Sequence, residues 1–202
     1  MKLLHIKVSP DLAGSASRIA SAHLVEKLRA QHTDLDETVL DLAQHPLPHL
    51  DAFTIGAFFT QPDKRDAAQR AAIHTSERLV DQLFACDTLV ISSPMWNLGL
   101  PSVLKAWFDH ITRAGRTFAF TPDGGKVGLV NGKKVYSVVA SGSMFAHGPF
   151  AQDDQFTPYI RVALEYVGIS DVEFIRVDGT HDPASRATAL PYALQSIERL
   201  FC

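Results

Sequence analysis

The chain has 202 residues, of which 46% are hydrophobic and 20% charged, with a formal net charge of −3. That balance excludes an extended disordered chain, and it offers no basic excess to nucleic acid or an anionic membrane surface. At roughly 150 residues per domain, a single domain spanning 1–202 is expected. Cys86 and Cys202 make neither a disulfide framework nor a Cys-x-x-Cys pair, which suits a reducing, cytoplasmic compartment. No apolar run approaches the roughly 18 residues of a membrane-crossing helix, and the apolar start is too short for a secretion signal.

Short strand-like runs alternate with longer helical ones. Residues 3–8 read as a buried strand ending at Ser9-Pro10. Ile19, Leu24 and Leu28 then recur at near-helical spacing and predict a first helix. Residues 36–42 are expected as a second strand, with Val39 and Leu42 its apolar positions. Residues 45–62 contain three prolines and predict an irregular excursion with one helical turn. Ile73, Leu79, Val80, Leu83 and Phe84 mark one face of a long helix over about 64–85. Residues 88–92 (TLVIS) are apolar on both faces, as a central parallel strand should be.

After Pro101, Val103, Leu104, Trp107, Phe108 and Ile111 form a helical stripe that Gly115 stops. Residues 117–120 and 128–130 flank a turn-rich stretch at 121–125 and predict a hairpin. A fourth sheet strand is expected at 135–140. Thr157-Pro158 reads as N-cap and first position of a helix running to about 167. Residues 172–177 give a last strand, and Leu190, Leu194, Ile197 and Phe201 a last helix. Every strand-to-strand connection is long enough for a crossover. The fold class is therefore α/β, a doubly wound five-stranded parallel sheet with a β-hairpin inserted before strand four.

In such sheets ligands sit beyond the carboxyl ends of the strands. The loops after strands one, three and four are rich in Ser, Gly, Asn and Pro. The first carries Ser9, Gly14, Ser15 and Ser17, hydroxyls at a helix N-terminus that can donate to phosphate oxygens beside the unpaired backbone N–H groups. Ser15 or Ser17 equally suits a plain N-cap. Without Gly-x-Gly-x-x-Gly or a P-loop, a monophosphate fits better than a pyrophosphate. The second loop, Ser93-Pro94-Met95-Trp96-Asn97-Leu98, pairs a planar apolar surface with an amide that donates and accepts. A heteroaromatic ring with an N–C=O edge needs that combination; the alternative is a tryptophan closing the core. The third, Ser141-Gly142-Ser143, can bring backbone N–H groups close to a ligand, or be an ordinary loop.

Other chemistries find little support. His45 and His49 are four apart, but Pro46 and Pro48 break the helix that would present both to a metal, so none is expected. No Gly-x-Ser-x-Gly elbow marks a serine hydrolase. Lys105 and Asp109 read as a surface ion pair. A response-regulator switch needs an acidic cluster where this chain has Lys7-Val8-Ser9.

Several segments match a known family in order: Ser9 with Gly14-Ser15-Ala16-Ser17, Pro94-Met95-Trp96-Asn97, and Leu104-Lys105-Ala106-Trp107-Phe108-Asp109. Arg113-Ala114-Gly115, Thr117-Phe118-Ala119-Phe120, Gly128 to Lys134, Thr157-Pro158-Tyr159 and Gly168-Ile169 continue the match. In these the chain resembles the FMN-dependent NADH-azoreductases of the flavodoxin-like superfamily, with the wider NAD(P)H quinone reductases behind them. The resemblance implies an FMN-binding oxidoreductase that takes electrons from NADH or NADPH. It further implies ping-pong, two-electron reduction of quinones or aromatic azo compounds, and a homodimer sharing its flavin cleft.

Residue by residue, the resemblance puts Ser9, Ser15 and Ser17, with Ala16 between them, on the FMN phosphate. Pro94, Met95, Trp96, Asn97 and Leu98 would line the isoalloxazine, and Ser141, Gly142 and Ser143 its pyrimidine side. Phe118 or Phe120 would wall the space for nicotinamide and acceptor. No side chain need act as acid or base, because the flavin carries the redox chemistry. The chain departs from the family pattern at Trp96, where Tyr is usual, at Leu98, often Phe, and at Ala140-Ser141-Gly142-Ser143, where a Ser-Arg-Gly-Gly type of loop is usual. These departures bear on substrate preference more than on flavin binding. A flavodoxin-type electron carrier serving a partner protein is the alternative, although such carriers tend to be strongly acidic. Phe53, Ile55, Phe58 and Phe59 fit either an interface or pocket lip, or packing beneath the excursion.

Overall fold

In the computed structural model, which describes residues 1–202, the first apolar run becomes β1 (Lys2–Lys7), buried from Leu3 to Ile6. It is followed by α1 (Ala16–Gln31), β2 (Asp36–Asp41), α2 (Ala52–Phe59), α3 (Ala67–Ala85), β3 (Thr88–Pro94) and α4 (Ser102–Ile111). A hairpin of β4 (Phe118–Phe120) and β5 (Lys126–Gly128) precedes β6 (Lys134–Ala140), α5 (Phe156–Val167), β7 (Asp171–Val177) and α6 (Ala189–Arg199). The sheet runs β2-β1-β3-β6-β7 with every pair parallel, and β4-β5 pair antiparallel outside it. The expected doubly wound sheet with an inserted hairpin is what forms. No helix is long and apolar enough to cross a membrane.

Alternate residues of the central strands feed two cores. Leu3, Val90, Val138 and Ile175 pack beneath α1 and α6. Leu4, Ile6, Leu89, Ile91 and Val135 pack on the other face beneath α3, α4 and α5, where Trp107 and Phe108 are fully buried. Burying each such large apolar side chain stabilises the fold by about 1.5–3 kcal/mol, which makes β1, β3 and β6 the rigid frame for whatever their ends carry.

Four details differ from the sequence reading. Ile19 faces outward on α1, because the buried stripe is Ser17, Ala20, Ser21, Leu24, Val25 and Leu28; its small residues let the helix lie close on the sheet. The excursion holds an eight-residue helix, α2, capped by Asp51, whose Oδ1 accepts from Thr54 N at 2.7 Å. α3 starts at Ala67 because Asp66 and Gln69 form a reciprocal capping box. α5 starts at Phe156, before Thr157, because Asp154 Oδ1 accepts from both Phe156 N and Thr157 N at 2.9 Å.

The hairpin register also sits earlier than expected. Thr121 N donates to Gly125 O across the tip, so Phe118 pairs with Gly128 and Phe120 with Lys126. The base of the hairpin is clamped where Gly128 meets the turn after α5. A Cβ on Gly128 would come within 2.2 Å of Gly168 N, so only glycine allows this approach.

Candidate functional site

The loops after β1, β3 and β6 meet beyond the carboxyl edge of the sheet and enclose a cleft of about 660 Å³. Its position outside β1 and β3, where the strand order reverses, is where ligands enter doubly wound sheets.

The β1 loop brings Ser9, Gly14, Ser15 and Ala16 to the cleft. Ser15 is the N-cap of α1; its Oγ accepts from Arg18 N at 3.4 Å and lies 3.1 Å from Ser17 Oγ. The first backbone N–H groups of α1, those of Ala16 and Ser17, have no intrahelical acceptor and add the positive end of the helix dipole. Ser17 is fully buried behind Ser15 and supports the cap from within. Asp11 also lines the cleft, but its Oδ1 is occupied by Gly14 N at 2.8 Å and Ala13 N at 3.2 Å. A Cβ on Gly14 would meet Asp11 Oδ2 at 2.7 Å, so a side chain there would displace the Asp11 carboxylate.

Two residues outside the sequence reading hold this loop. Arg18 donates to Ser9 O from Nη2 at 2.6 Å and from Nε at 2.9 Å, while pairing with both oxygens of Asp41. Burial works to raise the Asp41 carboxyl, and the Arg18 guanidinium with the Gln44 and Ala43 N–H groups overrides it, leaving Asp41 below the usual carboxylate range.

Opposite, Trp96 N donates to Gly99 O and Gly99 N to Trp96 O, both at 3.0 Å, closing a two-residue turn. Its central residues, Asn97 at φ 47° and Leu98 at φ 71°, are the only non-glycine residues with positive φ. That is a type I′ geometry, natural for Asn and strained for Leu. Strain of this kind costs about 1–3 kcal/mol and is concentrated at functional sites. The turn lifts Trp96, Asn97 and Leu98 into the open: Trp96 is 45% exposed and does not close the core. Met95 N donates to Ala140 O at 2.7 Å, tying this loop to the end of β6. Pro94, Met95, Trp96 and Asn97 line the cleft; Leu98, exposed beside them in the turn, is not among the lining residues.

On the β6 side, Ser141 and Gly142 line the cleft, and Ser143 faces an adjoining cavity of about 520 Å³. The carbonyls of Ser141, Gly142 and Ser143 accept from Thr180 N, His181 N and Gly179 N respectively, at 3.0–3.1 Å. Across trans peptides the N–H groups of Gly142 and Ser143 point the other way, available as donors. Ser141 Oγ turns inward to Asp178 Oδ1 at 2.7 Å. The sequence reading missed the segment after β7: Thr180 and His181 line the cleft and buried Asp178 supports it. The Asp178-Gly179 dipeptide directly after a strand was the available signal.

Phe118 and Phe120 are elsewhere. They pack edge-to-face with each other, and Phe118 with Tyr166 near the end of α5, at the amino edge of the sheet. Phe118 is buried and Phe120 is 71% exposed. On the excursion, Phe53, Ile55 and Phe59 are exposed, while Phe58 lies 3.8 Å beneath the Arg113 guanidinium.

The cleft thus has neutral N–H and O–H donors at a helix N-terminus, a raised aromatic and amide turn, and a second set of N–H donors. This donor set fits a phosphorylated ligand with a planar polar-edged ring. The sequence profile of the flavodoxin-like fold matches residues 1–201. The chain is 63% identical over 200 residues to FMN-dependent NADH:quinone oxidoreductase 2 of Hahella chejuensis (strain KCTC 2396), covering 99% of each chain. It is 42% identical over 178 residues to FMN-dependent NADH:quinone oxidoreductase of Herminiimonas arsenicoxydans, covering 88% of this chain and 87% of that one. Among solved structures, the azoreductase from Bacillus anthracis str. Sterne superposes with a TM-score of 0.91 at 25% identity, covering 100% of this chain and 98% of that one. The chain belongs to the flavodoxin-like fold family, in the group of the FMN-dependent NADH:quinone oxidoreductases.

Proposed function

We propose that this chain is an FMN-dependent NADH:quinone oxidoreductase that also accepts aromatic azo compounds, with NADH and acceptor taking turns at one cleft. The observation that carries this reading is the placement, within one cleft, of the first N–H groups of α1 opposite Asn97 of the strained turn. Bound FMN supplies the two-electron hydride chemistry, so no side chain has to act as acid, base or nucleophile.

The residues bind and orient. Ser9 and Ser15 hydroxyls with the N–H groups of Ala16 and Ser17 hold the phosphate, Ser17 bracing the Ser15 cap. Pro94, Met95, Trp96 and Leu98 wall the ring, and Asn97 hydrogen-bonds its polar edge. The N–H groups of Gly142 and Ser143 would donate to the polar edge of the bound ring, and preset dipoles of this kind stabilise negative charge without reorganising. Ser141 contributes its backbone and anchors the loop through Asp178.

The working unit is a homodimer of single-domain chains in the cytoplasm. Within one chain the hairpin stands at the opposite sheet edge from the cleft, so Phe120 reaches a substrate only from a second copy, with Phe118, buried against Tyr166, supporting it from behind. Exposed Phe120, Val162 (64%) and Tyr159 (37%) supply apolar surface for that contact. Relatives of matching length are NADH:quinone oxidoreductases, which favours an enzyme over a flavodoxin-type carrier.

Anaerobic rapid mixing tests the reading. NADH alone is expected to bleach the flavin in one half-reaction, and a quinone added afterwards to restore the colour. A flavoprotein that NADH leaves oxidised would contradict it.

A further inference from the structure

Asp178 is a buried carboxylate, 7% exposed, just after β7. Its Oδ1 accepts from Ser141 Oγ at 2.7 Å. Its Oδ2 accepts from Phe145 N at 3.0 Å and Ala146 N at 2.7 Å, so this one group holds the loop after β6 at its start and again at 145–146. Arg176 Nε donates to the same oxygen at 3.0 Å. From its other end Arg176 Nη1 donates to Asp154 Oδ2 at 2.8 Å and Thr157 Oγ1 at 2.7 Å. Asp154 caps α5, and the next residue, Gln155, donates its N–H to Leu98 O at 3.0 Å, inside the Trp96–Gly99 turn.

A relay of charge-assisted hydrogen bonds from Asp178 through Arg176 to Asp154, completed by the adjoining Gln155 backbone bond to Leu98 O, therefore joins the two loops that flank the flavin ring in the reading above, on which this inference rests. Burial works to raise the Asp154 carboxyl, and Thr157 and Arg176 override it, keeping it charged. Such a buried network is a poor way to add stability, because well-packed apolar residues do as well. Arg176 even leaves Nη2 buried without a partner. What a network with every carboxylate oxygen of Asp154 and Asp178 paired does supply is one defined geometry. We infer that Asp178, Arg176 and Asp154 are positioning residues that set the loop at 141–146 and the Asn97 turn at a fixed separation for the flavin ring.

The test uses the isosteric variants Asp178→Asn, Asp154→Asn and their double in the whole protein, together with the charge-conserving Arg176→Lys. FMN affinity of the apo forms is read by fluorescence quenching, the ring environment by visible circular dichroism, and folding by thermal melting. Each single change is expected to weaken FMN binding about tenfold and alter the dichroism, with the double variant no weaker than the worse single, as coupled sites behave. Arg176→Lys is expected to behave like the carboxamide variants, since one ammonium cannot span both carboxylates. Hydrogen exchange on the unmodified protein gives a mutation-free readout: FMN should slow exchange at Phe145, Ala146 and Gln155 together. Unchanged affinity and dichroism in the variants, additive losses, or protection at 145–146 alone would overturn the inference while leaving the flavin reading intact. Failure of the unmodified protein to bind FMN would overturn both.

Discussion

Arg18, in the first turn of α1, reaches back over the loop that precedes it and fastens its guanidinium to the carbonyl of Ser9 at 2.6 and 2.9 Å. The same group is paired with Asp41 at the end of β2, at 2.8 and 2.9 Å. The loop that offers Ser9 and Ser15 to a phosphate is thereby tied to the edge strand of the sheet. Its N–H and O–H donors are set in place before any ligand arrives.

Arg18→Met should loosen that loop and leave Asp41 without its counter-charge. A loss of about 2–3 kcal/mol in denaturant unfolding is expected from breaking a largely buried, doubly bonded pair. FMN affinity should fall at least tenfold, and Arg18→Lys should not restore it, because only the planar fork serves both acceptors. Wild-type affinity in Arg18→Met would show that the staple does not shape the phosphate site.

Leu98 is held at φ 71° with its side chain 45% exposed. Leu98→Gly removes the left-handed strain and gives up little burial, so it should raise apo-protein stability by up to about 1 kcal/mol. It also removes one wall of the ring site, so acceptor KM should rise. A clear fall in melting temperature would mean that the turn is not strained.

Stability should decline on acidification. His5 is buried, and burial lowers its pKa from 6.5 despite the Glu37 hydrogen bond at 3.0 Å. His110 is lowered for the same reason, although Pro48 O accepts from its Nε2. The fold thus prefers both imidazoles neutral. Below the ordinary histidine value the unfolded chain takes up protons that the folded chain resists, so stability is complete above about pH 7 and drains away as pH falls through the depressed folded values. Glu37, held low by the His5 hydrogen bond, adds loss in the same direction at lower pH. Denaturant midpoints should fall from about pH 7.5 to 5.5, and less steeply in His5→Gln. A flat profile would contradict the burial argument.

Phe120 projects from the hairpin tip, largely exposed. Phe120→Ala should change stability by less than about 0.5 kcal/mol, as exposed sites do. If the hairpin walls the cleft of a second copy, KM for quinone should rise several-fold while FMN affinity stays put. Unaltered acceptor kinetics would remove the hairpin from the active site.

The frame was legible because burial writes itself into periodicity. The apolar runs of β1, β3 and β6 and the stripe on α4 are consequences of being covered, and the strand ends located three of the four loops that line the cleft. Ile19 misled because α1 packs through small residues, Ala20 and Ser21, that carry no hydrophobic signal. The supporting residues were not legible for a different reason. Arg18 meets Asp41, and Arg176 meets Asp154, only after the parallel strands have aligned, at separations of 23 and 22 residues. Asp178 sits in a segment that looks like an ordinary exit from the last strand. Its role exists only once the loop after β6 folds over it.

Titration of apo-protein with FMN and, in parallel, with riboflavin tests the central claim most directly, because the two differ only in the phosphate that the α1 N-terminus is built to hold. One FMN per chain is expected, with riboflavin bound at least a hundredfold more weakly, about 2.7 kcal/mol for several charge-assisted hydrogen bonds to the phosphate. Equal affinity for the two, or no binding of FMN at all, would contradict the assignment of the cleft.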